Sequence, residues 1–541
     1  MTTTRRDFLQ AAAAGTTALG VGWSQGTPIQ GAERLALDAA RKQAAHRRRR
    51  IIYNNDGDDI WAKGADTVEK FLAVRHAPLL GTQVDSIYYC TTQSFNLFTH
   101  ATRVAEMFKS REGTFADNNL SMFLEQQTDG LRMSCEFAHK HGMESIWTLR
   151  MNDIHDVFTP QYVPQWKKDN PRRVMAALAD VSGFNDRRRL WSLVDYEHPD
   201  VEPRIVAIVE EVLRNYPVDG VELDFLRAPF YFHTTYEGKP ATDKQIGVLT
   251  RLMESVRRRV LAESERQGKP FLLTARVPVT KDLCRYLGID IAGWLTAGLI
   301  DVLAISGGYV AFDQPVSELI ELGHKHDVLV YPCLSQSGLL IRPPRGKEAP
   351  QPPAAWNGAA ARLWEAGADG IYCFNLFPGP GTPEQREHAV TILRTIGSSA
   401  TIASAERMFA VCDAGWSLTN SYWARDAEEF SHSLPVALDG KPALTVPLVV
   451  AGARGASSAL PQTELRLDFT GLTDAEIPSV SLNSNRLEQA AGSEVVGDVR
   501  RFRYPVPANK SRTGANEIRI EGISEKARLA AAELWIHQIQ K

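Results

Sequence analysis

The chain has 541 residues, of which 44% are hydrophobic, and its 61 basic and 64 acidic side chains leave a net charge of −3. This length exceeds the usual size of one domain, so we expect two or three folding units. The nearly balanced charge gives no reason to expect nucleic acid or an anionic membrane surface as a partner.

The N-terminus has the features of an export signal. Arg5 and Arg6 precede Phe8 and Leu9, and a weakly apolar run rich in Ala and Gly follows at residues 11–21. This pattern resembles a twin-arginine signal, and the run is too short to span a membrane. We therefore expect residues 1–30 to direct a folded bacterial protein to the periplasm or the cell exterior, without stable membrane insertion.

Short apolar segments alternate with helical segments from residue 51 onwards. The predicted strands lie at residues 51–53, 86–89, 145–149, 220–225, 271–274, 302–305, 328–331 and 370–374. The predicted helices include residues 33–50, 67–74, 120–141, 201–216, 244–267 and 353–366. Eight strand and helix units predict a (β/α)₈ barrel over residues 31–400. An open doubly wound sheet is the alternative, but no glycine-rich phosphate fingerprint follows the first strand.

The predicted helix at residues 33–50 ends in four consecutive arginines. A basic run of this kind can bind an anionic partner. Cations at a helix C-terminus also interact favourably with the helix dipole, and we prefer this structural interpretation.

Polar side chains follow all eight predicted strands. In chain order they are Asn54 and Asp56, then Thr91 to Gln93, then Arg150, Asn152 and Asp153, then Glu222, Asp224 and Arg227, and finally Arg276, Tyr309, Ser335 and Asn375. The active sites of (β/α)₈ barrels lie at the C-terminal ends of the strands. Any one of these residues also suits a turn or a helix cap, but their recurrence predicts a functional site at this end.

The fourth strand carries two acidic residues on one face. Side chains alternate along a strand, so Glu222 and Asp224 point to the same side. A strand in a parallel barrel is normally apolar on both faces, and an unpaired buried carboxylate is costly. The pattern therefore predicts either a functional pair or a Glu222 that is neutralised by an inward arginine, such as Arg150 or Arg276.

The loop after the third strand is unusually long, spanning residues 151–196. It carries four aromatic residues, which are Phe158, Tyr162, Trp166 and Trp191. Sugar rings stack on aromatic faces, so this loop favours a glycan site over the barrel mouth. A small core belonging to the loop itself is the alternative.

The pattern changes to short alternating segments after residue 393. The clearest are residues 443–450, 464–469, 516–520 and 532–536. They predict an all-β sandwich over residues 401–541. The last two segments resemble the end of jelly-roll domains of the galactose-binding type, which often accompany carbohydrate enzymes and in many cases only pack against the barrel.

Residues 219–227 read Asp-Gly-Val-Glu-Leu-Asp-Phe-Leu-Arg. This stretch resembles the Asp-Gly-x-His-x-Asp-Tyr-x-Arg signature of bacterial glycosyl-hydrolase-like barrels named for their likeness to family 10. Residues 191–201, 288–301 and 368–372 agree, and the resemblance covers residues 51–394. It departs at Glu222, where that family commonly has His. The resemblance implies a glycoside hydrolase.

Glycosidic cleavage needs one carboxylic acid and one carboxylate. We predict Asp224 in one role and Glu222, about 6.6 Å away along the strand, in the other. Four aspartates compete for the partner role, namely Asp56, Asp153, Asp156 and Asp313, so the stereochemistry stays open. The predicted substrate-binding residues are Asn54, Asp56, Arg150, Asn152, Asp153, Trp191, Arg227, Arg276, Tyr309 and Asn375. The arginines suit a sulfated or uronic substrate, and the alternative is that they balance the charge of an acidic side chain.

Two related activities are less favoured. Chitinase-like barrels carry Asp-x-x-Asp-x-Asp-x-Glu on this strand, and here Leu226 replaces the proton-donating Glu, which disfavours substrate-assisted chitin cleavage. A metal-dependent hydrolase is disfavoured because no His-x-His motif follows the first strand and the 13 histidines form no inward cluster. We expect no cofactor, and the main alternative to a hydrolase is a non-catalytic glycan-binding barrel.

Two smaller patterns bear on metal binding and on cross-linking. Asp56, Asp58 and Asp59 suit a Ca²⁺ site, although an exposed acidic turn is the preferred interpretation. The six cysteines have no Cys-x-x-Cys spacing, so we predict buried thiols rather than disulfides.

Overall fold

The computed structural model describes residues 31–157, 159–176, 190–306, 314–335, 351–411, 434–452, 462–473, 475–489, 492–507 and 509–537. The predicted export signal lies outside the described residues, as do Phe158, Tyr309, Asp313 and Cys412. Within the described ranges, no helix is both long and apolar enough to cross a bilayer.

Eight parallel strands form a closed barrel, as predicted. They are β1 (Ile51–Asn55), β2 (Val84–Cys90), β3 (Glu144–Arg150), β4 (Gly220–Asp224), β5 (Leu272–Pro278), β6 (Val302–Ser306), β7 (Leu329–Ser335) and β8 (Ile371–Phe374). Each strand pairs with its neighbours in the chain, and β1 closes the ring against β8 through the pairs Ile51–Ile371 and Tyr53–Cys373. The C-terminal ends of all eight strands therefore share one mouth.

Helices connect the strands. They are α1 (Gly31–Ala45), α2 (Val68–Arg75), α3 (Leu120–Glu125), α4 (Gly130–Lys140), α5 (Gln165–Asp169), α6 (Val201–Asn215), α7 (His233–Tyr236), α8 (Asp243–Gln267), α9 (Lys281–Leu287), α10 (Ile291–Thr296), α11 (Ser317–Lys325), α12 (Pro353–Glu365), α13 (Pro383–Leu393) and α14 (Ser399–Ala403). The single helix predicted at residues 120–141 is two helices. Gln127 has a φ of 61°, which no α-helix accommodates, and the Asp129 side chain caps α4 by accepting from the Arg132 N–H.

Side-chain alternation decides which polar residues face the barrel interior. Ile52 on β1, Ile146 on β3, Leu272 on β5 and Tyr331 on β7 belong to the apolar cluster inside the barrel. Residues an even number of positions further along the same strands project into the same space, nearer the mouth. Asn54, Arg150, Arg276 and Ser335 therefore form the polar layer at the C-terminal end, together with Asp224, which lies in register between the two arginines.

Arg49 closes the opposite, N-terminal end of the barrel. Its guanidinium donates to both oxygens of Glu144 at 2.7 Å and to the carbonyls of Ala44 and Ala45 at 2.8 Å. Ser86 donates to the same Glu144 at 2.8 Å. Helix α1 thus ends at Ala45, five residues before the predicted end. Arg49, one of the arginines expected to interact with the helix dipole, donates to the last carbonyls of α1 and also pairs with the buried Glu144.

The C-terminal region is an antiparallel β structure, in agreement with the predicted strands. Its strands are β9 (Arg407–Ala410), β10 (Leu444–Val450), β11 (Thr463–Thr470), β12 (Ser479–Leu482), β13 (Asn485–Arg486), β14 (Glu494–Val496), β15 (Val499–Val506), β16 (Gly514–Glu521) and β17 (Arg528–Ile536). One sheet has the order β9-β17-β11-β15-β14 and the other β10-β16-β12-β13. Buried and exposed residues alternate along β10 and β16, as a sheet with one covered face requires.

Helix α12 lies between the barrel and the C-terminal sheets. It is buried almost all round, from Ala354 to Ala361, which an amphipathic barrel helix would not be. The Asn357 side chain donates to the Glu406 carbonyl just before β9 at 2.8 Å. The alanine-rich sequence of this helix therefore reflects close packing on both sides.

Candidate active site

An ion pair occupies the mouth at β4 and β5. Strand register places Asp224 between Arg150 on β3 and Arg276 on β5. Arg276 donates to the two Asp224 oxygens at 3.0 and 2.8 Å, and the Leu226 N–H adds a third bond at 2.9 Å. Both charged side chains are 2% exposed. Asp224 is thus a buried carboxylate with a bidentate partner.

Arg150 holds two further carboxylates. One of its terminal nitrogens lies 2.7 Å from Asp56 and the other 3.2 Å from Asp153. The contact between Arg150 and Asp56 is close, but it does not meet the geometry of a hydrogen bond, and neither atom has a hydrogen-bond partner among the described residues. Burial raises the pKa of Asp56, but the charges of Arg150 and Arg227 outweigh it and leave that pKa below the usual value. With 16% of its side chain exposed, Asp56 is more accessible than Asp224.

His155 and Arg227 extend this charged network. The His155 Nδ1 lies 2.6 Å from Asp153, and Arg227 donates to the His155 Nε2 at 2.9 Å. Burial raises the pKa of Asp153, but His155, Arg150 and Arg227 together hold it well below its ordinary range. Of the side chains in this network, His155 is the most exposed, at 30%.

Glu222 lies one layer deeper than Asp224. One of its oxygens accepts hydrogen bonds from Thr148 and Tyr372 at 2.9 Å each, and the other has no partner among the described residues. Burial, reinforced by the charge of Asp224, raises the pKa of Glu222 to about 8. The surroundings of this carboxyl group therefore favour its protonated form.

The alternative interpretation of Glu222, in which an inward arginine neutralises it, is wrong. Arg276 pairs with Asp224 instead, and Arg150 pairs with Asp56 and Asp153. The physical reason is depth, because both arginines stand at the register of Asp224, one layer nearer the mouth than Glu222. Burial and the nearby charge of Asp224 favour the neutral form of Glu222, against the hydrogen bonds from Thr148 and Tyr372, which lower its pKa.

The predicted binding asparagines have different surroundings. The Asn152 amide donates to the carbonyls of Val194 and Phe230 and accepts from the Val194 N–H. Asn152 therefore anchors the loops after β3 and β4 to each other. Asn54 donates to the Tyr88 carbonyl at 3.4 Å, and its oxygen has no partner within the described ranges. Asn375 follows β8 with a φ of 55°.

The aromatic residues described in the long loop form a small core. Tyr162 packs against Phe108 and Phe115 with ring centroids 4.7 and 5.0 Å apart, and Trp166 packs against Phe95 at 5.1 Å. Trp166 and the predicted binding residue Trp191 are each 6% exposed. These rings offer no open face to a sugar, because Tyr162 and Trp166 pack against aromatic residues of the connection after β2 and Trp191 is buried.

The three aspartates of the acidic turn after β1 have different partners and do not converge on one position. Asp56 faces Arg150, Asp58 pairs with Arg75, and Asp59 accepts from Tyr89 at 2.7 Å. Asp59 is fully buried, so the interpretation as an exposed acidic turn is wrong for that residue. Nowhere in the described ranges do three or more His, Cys, Asp or Glu side chains form a group suited to a metal ion. The five described cysteines are buried and free, as predicted.

Three residues of the mouth are not among the predicted catalytic or substrate-binding residues. His155 completes the charged network, while Gln93 and Ser335 each bury a polar atom that has no partner among the described residues. All three follow or end a barrel strand. Their position at or after the end of a strand is the sequence feature that indicates a functional role, but ordinary turn residues occupy the same positions.

No family model matches the chain, and no match to a curated protein was found. Solved structures of similar architecture include the PgaB (BpsB) glycoside hydrolase domain from Bordetella bronchiseptica, with 12% identity, a TM-score of 0.42 and coverage of 65% of this chain and 99% of that one. A putative α-L-fucosidase from Bacteroides thetaiotaomicron has 10% identity, a TM-score of 0.36 and coverage of 93% and 97%. A family GH18 chitinase from Chromobacterium violaceum has 11% identity, a TM-score of 0.33 and coverage of 89% and 91%. Likeness at this level adds no argument to the barrel topology described above.

Proposed function

We propose that this protein is an exported glycoside hydrolase that cleaves a polysaccharide or oligosaccharide at the C-terminal mouth of the barrel. One observation carries the proposal. On the same face of β4, Glu222 has a pKa raised to about 8, whereas Asp224 is held in an ion pair by Arg276. A carboxyl group with a raised pKa beside a carboxylate held in an ion pair is what acid and base roles require.

In this proposal Glu222 donates a proton to the leaving glycosidic oxygen. Asp224 acts as the nucleophile or activates water, after substrate has displaced one of its bonds to Arg276. Asp56 remains the competing second carboxylate, because its side chain is the more accessible and its contact with Arg150 is poorly aligned. The roles of Asn54, Arg150, Arg227 and the other predicted binding residues belong to the same proposal.

A non-catalytic glycan-binding barrel is the second candidate, and burial favours it. Glu222 is fully buried and Asp224 is 2% exposed, with both oxygens of Asp224 bound by Arg276. In that function the two acids shape the floor of the site and take no part in bond cleavage.

Substitution of the two acids tests the proposal. Purified Asp224→Asn and Glu222→Gln variants are compared with the unaltered protein on a glycan panel, with release of reducing ends as the readout. Loss of acid or base catalysis is expected to lower turnover by about 10²- to 10⁴-fold while glycan binding persists.

Asp219→Asn is the matched control. It makes the same chemical change at the far end of β4, where Asp219 faces His139 and Lys269. Unchanged turnover by a folded Asp224→Asn variant would refute the assignment of that residue. Binding of a glycan without cleavage by the unaltered protein would support the second candidate.

The export part of the proposal rests on the arginine pair near the N-terminus. A double Arg5→Lys, Arg6→Lys variant is expected to stay in the cytoplasmic fraction, because the twin-arginine route reads that pair. Equal export of both forms would remove this part of the proposal and leave the active-site assignment untouched.

A further inference from the structure

The described charges at the barrel mouth are balanced against one another. Arg276 binds Asp224 through two hydrogen bonds. Arg150 contacts both Asp56 and Asp153, and Arg227 lies 4.0 Å from Asp153. An anionic sugar would have to displace a carboxylate from a buried guanidinium, which leaves that carboxylate unpaired at a large cost.

Three neutral polar atoms at the same end are buried without partners. They are the Asn54 Oδ1, the Gln93 Nε2 and the Ser335 Oγ, for which the described part of the chain provides no hydrogen bond. Their side chains are nearly inaccessible, with residue exposures of 2 to 4%. Buried polar groups are nearly always paired, so atoms of this kind indicate a ligand or ordered water.

These atoms lie on neighbouring elements of the mouth. Ser335 on β7 is the register partner of Phe374 on β8. On the other side of β8, Tyr53 of β1 is the partner of Cys373. The next residue of β1, Asn54, therefore lies beside Phe374 as well. Gln93 follows β2, next to Thr92, whose carbonyl accepts from Arg150 at 3.2 Å. One acceptor, one donor and one hydroxyl therefore stand on the β7, β8, β1 and β2 side, across from the ion pairs of β3 to β5.

We infer that the mouth selects neutral glycans over uronic or sulfated ones, with Asn54, Gln93 and Ser335 binding sugar hydroxyl groups. The inference rests on the proposed function and narrows its substrate class. A sugar hydroxyl donates a hydrogen bond to the Asn54 oxygen, and another accepts one from the Gln93 nitrogen. The Ser335 hydroxyl can donate or accept. The arginines hold the aspartates in place and leave no described cation available to an acidic sugar.

Titration calorimetry with size-matched pairs of neutral and uronate oligosaccharides tests this inference without any requirement for turnover. The neutral member is expected to bind at least about 10-fold more tightly, with a Kd that changes little between low and high salt. Ser335→Ala and Gln93→Met are each expected to weaken neutral binding by about 3- to 10-fold, through loss of one hydrogen bond. Ser86→Ala is the control, since it removes a hydroxyl from the same interior at the opposite end, where it bonds to Glu144.

The outcomes separate this inference from the proposed function. Neutral glycans that bind without being cleaved would uphold the inference and refute the hydrolase. Tighter binding of the uronate member, weakened by salt, would overturn the inference whether or not cleavage occurs. Wild-type affinity in both the Ser335→Ala and the Gln93→Met variants would overturn the assigned residues, and binding of no glycan in the panel would overturn both proposals.

Discussion

Glu222 and Asp224 are two residues apart and point the same way, yet Asp224 is held in an ion pair whereas burial favours the neutral form of Glu222. Asp224 stands at the register where β3 and β5 supply arginines, whereas Glu222 stands among Thr148, Tyr372 and apolar side chains. A guanidinium stabilises a carboxylate, and an apolar interior stabilises the neutral acid. The position of each carboxyl group along β4 therefore decides whether it lies beside a guanidinium, as Asp224 does, or in a mainly apolar interior, as Glu222 does.

The raised pKa of Glu222 has a consequence for stability. An unfolded glutamate releases its proton near its usual pKa of 4.5, while the folded protein keeps it until about pH 8. Between these values the folded state binds more protons, so the contribution of Glu222 to the unfolding free energy falls as pH rises and is constant above about 8. Below 4.5 both states are protonated and no stability is lost.

We therefore expect Glu222→Gln to gain stability over the unaltered protein as pH rises from about 5 to about 8, by up to a few kcal/mol. Glutamine reproduces the protonated form and still accepts from Thr148 and Tyr372. Urea unfolding of both proteins at the two pH values measures the effect. A difference in unfolding free energy that does not change with pH would contradict the raised pKa.

At the scale of elements, β4 is positioned by very close packing at its first residue. A Cβ atom on Gly220 would lie 2.4 Å from the Leu272 carbonyl oxygen and 2.9 Å from its nitrogen. These are backbone atoms of β5, so they cannot move aside as a flexible side chain can. The absence of a side chain at this position lets β4 pair closely with β5 at its first residue.

Gly220→Ala is accordingly expected to destabilise the protein by about 1–3 kcal/mol, through a forced shift of β4 or β5. Gly247→Ala is the matched control, since Gly247 lies within α8 and its added methyl would make only an ordinary contact at 3.5 Å with Arg251. That change is expected to stabilise by about 0.5–1 kcal/mol, because alanine favours helix. Chemical denaturation of both variants measures the change in unfolding free energy, which is expected to be a loss for Gly220→Ala and a gain for Gly247→Ala. Equal changes in the two variants would contradict the proposed close packing at Gly220.

At the scale of the whole molecule, the barrel and the C-terminal sheets share α12. The helix is buried over nearly its whole circumference, and its neighbours include the chain just before β9. A further contact joins the Glu365 carboxylate at the end of α12 to the Gly452 N–H at 3.1 Å. Separation of the barrel from the C-terminal sheets would therefore expose apolar surface at this helix.

Removal of residues 404–541 is expected to lower the Tm of the barrel by about 5 °C or more, because it exposes the apolar face of α12 to water. Calorimetric scans of the full chain and the truncated chain measure the effect, and binding of a hydrophobic dye reports the exposed face. Identical melting of the two chains would show that the C-terminal sheets add nothing to the barrel.

The sequence by itself determined the eight barrel strands, the four β segments selected for the C-terminal region and the common direction of Glu222 and Asp224. These depend on hydrophobic periodicity, which is a local property of the chain. Only the tertiary structure decided that Arg276 pairs with Asp224, that Glu222 keeps a proton and that Trp166 and Trp191 are buried. Ion pairing and burial depend on strand register, barrel closure and loop packing, and each of these joins residues that are far apart in the chain.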